Sequence, residues 1–292
     1  MKWLGRDESD NVEDGNGGGG GGNTGGFALG GLGTLIVFIL ALILGKNPLS
    51  LINQIQSGSG PSTQTTSIVH SNQTESVQRK FVGVVLHDTE TVWDSLFTAM
   101  GRNYEKPKLF LFSEEVNSGC GIAQTSAGPF YCPADQKVYL DSAFFEELSS
   151  RFGAPGDLAK AYVIAHEVGH HVQNLLGISA KLDQARQSLS QTEYNKLSVK
   201  LELQADFLAG VFIHFDDKMN HILEAGDIES ALSAANAVGD DHLQKQMQGY
   251  VNPDTFTHGT SEQRKYWFTK GYNTGDIRQG DTFADNSSET NN

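Results

Sequence analysis

The sequence predicts an α+β fold with a small mixed sheet and long helices, preceded by one transmembrane helix. Apolar residues recur at three- and four-residue steps over 161–175 and again over 201–212, which indicates two amphipathic helices. An uncharged stretch over 27–44 is close to the minimum length that spans a bilayer. Between these features lie short β-like runs, at 81–86, 108–112, 130–131 and 137–140.

Two shorter helices accompany these strands. Residues 88–100 show an amphipathic pattern, with Trp93 and Phe97 on the inward side. Asp141 follows the last β-like run and can cap the start of a helix over 145–152. The predicted sheet therefore comes before the two long helices in the chain.

Composition divides the 292-residue chain into five parts. Glycine dominates the stretch before the uncharged run, and Ser, Thr, Gln and Gly dominate the stretch after it, so neither can build a core. A net charge of −14 argues against a nucleic-acid partner, which needs a basic surface. The predicted parts are a disordered glycine-rich tail (1–26), a transmembrane helix (27–45), a polar stalk (46–79), a folded domain (80–280) and a disordered tail (281–292).

The uncharged run is predicted to be a retained anchor and not the core of a signal peptide, because no Ala-x-Ala-like cleavage site follows it. Lys2 and Arg6 precede the run and Lys46 follows it, so a slight positive-inside bias places the amino terminus in the cytoplasm. The folded domain would then face away from the cytoplasm.

The two cysteines support the same orientation. Cys120 and Cys132 flank a turn-rich segment around Gly128-Pro129, which predicts a disulfide and an oxidising compartment. The alternative is a pair of unpaired core thiols, since spacing alone does not test disulfide geometry.

The most informative motif is Ala165-His166-Glu167-Val168-Gly169-His170. On a helix, positions four apart share a face, so His166 and His170 present two imidazoles to one point, which suits a zinc ion. Glu167 is close enough to take a proton from a metal-bound water. Gly169 is costly in a helix and makes sense if another backbone or a substrate comes close. The alternative is an ordinary helix with two satisfied histidines and a solvated glutamate.

A third ligand is expected from the second long helix. Glu202 and Asp206 are four residues apart, so both carboxylates leave that helix on one side. Glu202 would complete a His-His-Glu site with an open fourth position, and Asp206 would accept the second ring N–H of a ligand histidine, with His166 the first choice. A pair of merely solvated carboxylates is the alternative, but Glu202 lies in an apolar stretch where a free carboxylate is costly.

With these motifs the chain resembles the bacterial membrane-anchored neutral zinc metallopeptidases, and more broadly the gluzincin pattern of H-E-x-x-H followed by Glu-x-x-x-Asp. The resemblance implies a zincin-like (gluzincin) metallopeptidase domain that holds one Zn²⁺ per chain and acts on a peptide or protein. The further matching motifs are Met1-Lys2-Trp3, Asn11-Val12-Glu13-Asp14, Gly119-Cys120-Gly121, Gly128 to Pro133, Val138 to Asp141, Thr257 to Ser261 and Gln263-Arg264.

The resemblance also implies a substrate-binding edge strand just before the zinc helix. The candidate is Lys137 to Leu140, with Val138 and Tyr139 at its centre, and the alternative is an ordinary buried strand. An oxyanion donor is also needed. His258 is the first choice because a glycine-bearing loop can bring it close, and Tyr139 and Tyr266 are the alternatives. His258 could instead support the site from behind or start a helix.

The sequence therefore predicts a single-pass membrane protein of the bacterial inner membrane, with a zinc peptidase domain on the periplasmic or extracellular side. Glu167 would be its general base, and endopeptidase activity is the first expectation. Two alternatives stay open: a non-proteolytic zinc-containing module that binds peptides or regulates, and an amidase acting on cell-wall peptides. The intact Glu167 favours catalysis, because a structural zinc site needs no base and closes its fourth position.

Overall fold

The computed structural model describes residues 1–15, 72–113, 115–124 and 128–284. The predicted transmembrane helix at 27–45, most of the predicted stalk and residues 285–292 lie outside the described residues. Within the part of the chain that is described, no helix is long and apolar enough to cross a bilayer.

A four-stranded mixed sheet forms one side of the molecule, in the spatial order β1-β2-β6-β5. β1 and β6 both run parallel to β2, whereas β5 pairs antiparallel with β6. A separate antiparallel hairpin consists of β3 and β4. The strands are β1 (Val12–Asp14), β2 (Lys108–Phe112), β3 (Glu115–Ser118), β4 (Gly121–Gln124), β5 (Phe130–Cys132) and β6 (Lys137–Asp141).

Eight α-helices surround this sheet in the described residues, which confirms the predicted α+β class and its small mixed sheet. The two long predicted helices are present as α3 and α5. The helices are α1 (Asn72–Ala99), α2 (Phe144–Ser150), α3 (Asp157–Leu175), α4 (Ile178–Arg186), α5 (Gln191–Asn220), α6 (Asp227–Ala237), α7 (Asp240–Gln248) and α8 (Ser261–Thr274).

The strand predicted over 81–86 is wrong, because these residues lie inside α1. Phe81, Val82, Val85 and Leu86 are all buried there, so the run is apolar on every side of the helix. A buried helix and a buried strand give the same continuous apolar run, and tertiary packing decided between them.

The amino-terminal segment, defined here as residues 1–15, belongs to the folded domain. Its β1 extends the sheet, and Met1, Ser9 and Val12 are buried. The predicted disordered tail over 1–26 is therefore wrong for residues 1–15. The predicted start of the domain at residue 80 is also wrong, because α1 begins at Asn72. The segment is held by hydrogen bonds from polar side chains to buried partners, a contribution that composition does not reveal.

Helices α3, α5 and α8 pack closely, and glycines make the approach possible. A Cβ on Gly169 of α3 would lie 3.0 Å from the carbonyl oxygen of Ala205 in α5. On the opposite side of α5, a Cβ on Gly271 of α8 would lie only 2.0 Å from the carbonyl oxygen of Phe207. The sequence-based explanation of Gly169, a close approach by another backbone, is thus confirmed.

The predicted disulfide is also confirmed. Cys120 and Cys132 are bonded, with their Cα atoms 5.8 Å apart. The bond links the turn of the β3–β4 hairpin to the end of β5. The hairpin is therefore attached to the main sheet at β5.

Candidate metal centre

Three potential metal ligands meet between α3 and α5. His166 and His170 lie one turn apart on α3, and Glu202 faces them from α5. One ligand atom from each residue lies within 4.8 Å of the others. The Nε2 atom of His166 is 3.1 Å from Oε2 of Glu202, and Nε2 of His170 is 3.4 Å from Oε1. The structure therefore brings together the three residues that the spacing predicted.

Each histidine is oriented by a neighbour on its other ring nitrogen. Nδ1 of His166 lies 2.8 Å from Oδ1 of Asp206, and Nδ1 of His170 lies 2.9 Å from Oε1 of Gln173. Gln173 is itself fixed, because its amide nitrogen donates to the carbonyl oxygen of Leu201. Both Nε2 atoms are thereby directed at Glu202. Two imidazoles and a carboxylate so arranged are a donor set that suits Zn²⁺, and the second contact on each ring is typical of zinc ligands.

Asp206 is the centre of a buried network behind His166. Arg264 of α8 donates to both of its carboxylate oxygens, from Nε at 2.7 Å and from Nη2 at 2.9 Å. The hydroxyl of Tyr162 also donates to Asp206. The predicted role of Asp206 toward His166 agrees with this geometry. Arg264 and Tyr162 were not expected from the sequence, since Arg264 lies 98 residues from His166 and no spacing rule connects them.

The charges in this network favour the ionised carboxylates. Burial raises the pKa of Asp206, but Arg264 and His166 outweigh burial and bring it to about 2. Burial lowers the pKa of His166, yet Asp206 and Glu202 reverse that effect and raise it to about 9. A metal ion that binds Nε2 of His166 must displace any proton from that nitrogen.

Glu167 lies beside the three ligands but is not one of them. Its side chain is buried, and burial raises its pKa although His170 and His166 act in the opposite direction. A carboxylate with a raised pKa next to a metal site has the properties of a group that accepts a proton and later releases it.

Burial raises the pKa of Glu202, but the charges of His170 and His258 act in the opposite direction and the pKa is lowered. His258 therefore lies close to the site. The loop that carries it is folded around Asp240, which accepts hydrogen bonds from the backbone N–H groups of Thr257, His258 and Gly259. Its Nδ1 lies 2.9 Å from the hydroxyl oxygen of Thr257. His258 thus belongs to the surroundings of the site, and its role as oxyanion donor remains a prediction.

The prediction that residues 137–140 form an edge strand is wrong. Lys137–Asp141 forms β6, which has β2 on one side and β5 on the other, so Val138 and Tyr139 are paired on both sides. The hydroxyl of Tyr139 donates to Asp135. Sequence shows that a strand exists but not how many neighbours it has. The edge of the sheet beside β6 is β5, Phe130–Cys132.

His171 is a packing residue, as its position 100° from His170 on the helix predicts. It is fully buried, with Nδ1 3.0 Å from the Tyr131 hydroxyl and Nε2 2.6 Å from the carbonyl oxygen of Glu105. These contacts attach α3 to β5 and to the loop before β2.

An α+β fold with a His-x-x-x-His pair on one helix and a glutamate from a second helix defines a class of protein that can hold a metal ion at this position. The chain belongs to the family described as "Putative neutral zinc metallopeptidase", whose model matches residues 1–283.

Two bacterial relatives align over most of the chain. YpfJ of Escherichia coli (strain K12) is 47% identical over 287 residues, which cover 97% of this chain and 99% of that protein. Rv2575 of Mycobacterium tuberculosis (strain ATCC 25618 / H37Rv) is 38% identical over 254 residues, which cover 84% of this chain and 85% of that protein. No solved structure matches the chain significantly. The names of these relatives state no substrate.

Proposed function

We propose that this protein is a zinc-dependent peptidase that hydrolyses peptide bonds, with Glu167 as its general base. The observation that carries the proposal is a buried Glu167 next to the group formed by His166, His170 and Glu202. These three residues would hold the metal and leave a position open. Family membership supports a peptide as the substrate class.

In this proposal each residue of the site has a separate role. When bound, a zinc ion in such a site lowers the pKa of water and polarises a substrate carbonyl. Glu167 accepts a proton from the attacking water and delivers it to the leaving nitrogen. Asp206, itself held by Arg264, keeps His166 in one tautomer and orientation. His258 is our candidate for the donor to the oxyanion.

We also propose that residues 27–45 anchor the protein at a bacterial membrane and that the domain works outside the cytoplasm. The uncharged run supports the anchor. The bond between Cys120 and Cys132 supports an oxidising compartment.

The decisive experiment compares Glu167→Gln with the unaltered full chain. Zinc per chain is measured by elemental analysis, and cleavage of a quenched peptide library is measured at matched zinc occupancy. We expect equal zinc content and a roughly 10²–10⁴-fold lower rate in the variant, because a proton-transfer group is lost while the ligands stay. Glu229→Gln, an exposed change on α6, is the matched control and should cleave normally.

Full metal with equal peptide cleavage in Glu167→Gln and the unaltered protein would contradict the proposal. If the unaltered protein binds zinc but cleaves no peptide in the library, the same comparison on cell-wall peptides tests the amidase alternative. Hydrolysis of cell-wall peptides that depends on Glu167 would show that the protein is an amidase and not a peptidase. Zinc binding with no hydrolysis of either substrate would favour the non-proteolytic module.

A further inference from the structure

The amino-terminal segment is attached to the domain along its whole length. β1 pairs with β2 from Val12 to Asp14. Nε1 of Trp3 donates to Oδ2 of Asp157, the first residue of α3, over 2.9 Å. Near the middle of the segment, the backbone N–H of Ser9 donates to the carbonyl oxygen of Gly83 in α1. The segment therefore contacts the sheet, the histidine-bearing helix and α1 at once.

Buried charges make this attachment specific. Arg6 donates from Nη2 to Asp88 of α1 at 2.7 Å and to Asp216 of α5 at 3.3 Å. Both carboxyl groups are buried, so removal of the segment would leave them without this hydrogen-bond donor. Glu90 is also buried and accepts from the hydroxyl of Ser9 and the amide of Asn11. The docked arrangement is thus required by groups that belong to the domain itself.

The chain leaves and rejoins the domain on one face. Gly15 donates its N–H to the carbonyl oxygen of Leu111, at the end of β1. The adjacent Asp14 accepts from Nε of Arg79 over 2.7 Å. Arg79 is seven residues after the start of α1, about 10 Å along a helix. The uncharged run over 27–44 lies in the sequence between these two points.

A single crossing of the bilayer by that run would place residues 1–15 and residues 72–284 on opposite sides. The contacts of Trp3, Arg6 and Ser9 would then all be impossible within one chain. The run is long enough for one crossing and not for two, and the stretch after it is polar.

We propose that the amino-terminal segment and the domain lie on the same side of the membrane, so that the chain between them does not make a single crossing of the bilayer. This replaces the single-pass topology expected from the sequence. The proposal depends on packing alone and is independent of the zinc chemistry.

Cross-linking tests the docked state in the full chain in its native membrane. A Cβ on Gly83 would lie 3.2 Å from Cβ of Glu8, slightly less than the roughly 3.5–4.5 Å found in disulfides, so a small shift would allow the bond. Both native cysteines are already bonded to each other, so Glu8→Cys/Gly83→Cys adds the only reactive pair. A protease site inserted in the glycine run allows the fragments to be separated. After mild oxidation and cleavage, we expect more than half of the fragments to stay joined on a non-reducing gel and to separate on reduction.

The single variants Glu8→Cys and Gly83→Cys are the matched controls and should give separate fragments under both conditions. Separate fragments from the double variant, with each cysteine reactive toward a small maleimide, would overturn the proposal.

Labelling from outside tests the topology with surface positions that do not affect packing. Asp10 and Tyr250 are exposed, one in the segment and one in the domain. Asp10→Cys and Tyr250→Cys are treated with a membrane-impermeant maleimide in intact and in lysed spheroplasts. We expect the two positions to be labelled under the same condition. Labelling of one position in intact and of the other only in lysed spheroplasts would overturn the proposal.

Discussion

At the scale of single residues, the site depends on the side chains that hydrogen-bond to its candidate ligands. His166 is directed at Glu202 because Asp206 holds its Nδ1, and Asp206 stays charged because Arg264 donates to both of its oxygens. A buried carboxylate without that arginine would be costly. Arg264 therefore supports the candidate metal site through Asp206 and through its contact with the His166 ring.

We predict that Arg264→Gln weakens zinc binding while the fold is retained. The dissociation constant should rise roughly 10–100-fold, the usual effect of losing a group that supports a ligand. Competition with a chromophoric chelator measures it, and circular dichroism checks the fold. Arg278→Gln is the matched control, because Arg278 is 89% exposed and pairs with Asp276, away from the site. An unchanged constant in folded Arg264→Gln would show that Asp206 does not need its cation.

The site residues were predictable from the sequence because His166 and His170 lie four apart on one helix, as do Glu202 and Asp206, and helical periodicity converts that spacing into geometry. Joining His166 to Glu202 needed chemical reasoning about the third ligand, which the structure supports. Arg264 and Tyr162 could not be found in this way, because their link to Asp206 arises only when α8 and α3 pack on α5.

At the scale of elements, the distance between α3 and α5 sets the distance between the histidines and Glu202. Gly169 allows α3 to approach the Ala205 backbone, and α5 cannot retreat because Gly271 brings α8 against its other side. A metal site tolerates displacements of only about 0.5 Å. Gly169 thus sets the geometry of the candidate metal site without contributing a ligand atom.

We predict that Gly169→Ala lowers zinc affinity by roughly tenfold, because its Cβ would stand 3.0 Å from the Ala205 carbonyl oxygen and displace α3 relative to α5. The midpoint of thermal unfolding should change little, since alanine gains about 1 kcal/mol of helix propensity to offset the strain. Gly83→Ala is the matched control. It is also a helical glycine, but its Cβ meets only the Glu8 side chain, so zinc affinity should stay the same. Equal affinity in both variants would contradict this account.

Two errors in the sequence-based elements have the same physical origin. An apolar run over 81–86 does not reveal whether its burial comes from neighbouring strands or from neighbouring helices. In the same way, the apolar run in β6 does not reveal that β5 covers its second edge. Both properties belong to the neighbours of the element and not to its own residues.

At the scale of the whole molecule, the segment before the glycine run completes the domain that follows it. Its only strand is three residues long, and its contribution consists of polar contacts such as those of Arg6 and Ser9. Composition averaged over 1–26 is dominated by glycine, so the sequence could not separate a docked segment from a flexible one.

We predict that deletion of residues 1–15 destabilises the domain strongly, by roughly 3–5 kcal/mol or more, because breaking a buried ion pair alone costs that much. Chemical denaturation of the two proteins measures the difference. Glu229→Gln, an exposed change on α6, is the control and should have little effect. A shortened protein of unchanged stability would show that the contacts of Arg6 contribute nothing to the fold.

The carboxylates that Arg6 holds also make the stability of the whole domain depend on pH. Burial and the neighbouring Asp216 outweigh Arg6 and raise the pKa of Asp88 to about 8, from 3.8 in an unfolded chain. Between about pH 4 and pH 8 the folded protein therefore binds more protons than the unfolded one at this site, so the stability that Asp88 contributes is present at low pH and declines as the pH rises toward 8.

We predict that Asp88→Asn removes this decline. Between pH 5 and pH 8 the free energy of unfolding of the variant should fall by roughly 1–3 kcal/mol less than that of the unaltered protein, because asparagine never acquires the charge that one arginine cannot balance. Denaturant titrations at several pH values measure both curves. Asp94→Asn, an exposed change on the same helix, should follow the unaltered protein. If the curve of Asp88→Asn runs parallel to that of the unaltered protein, Asp88 is already ionised at pH 5 and Arg6 neutralises both carboxylates.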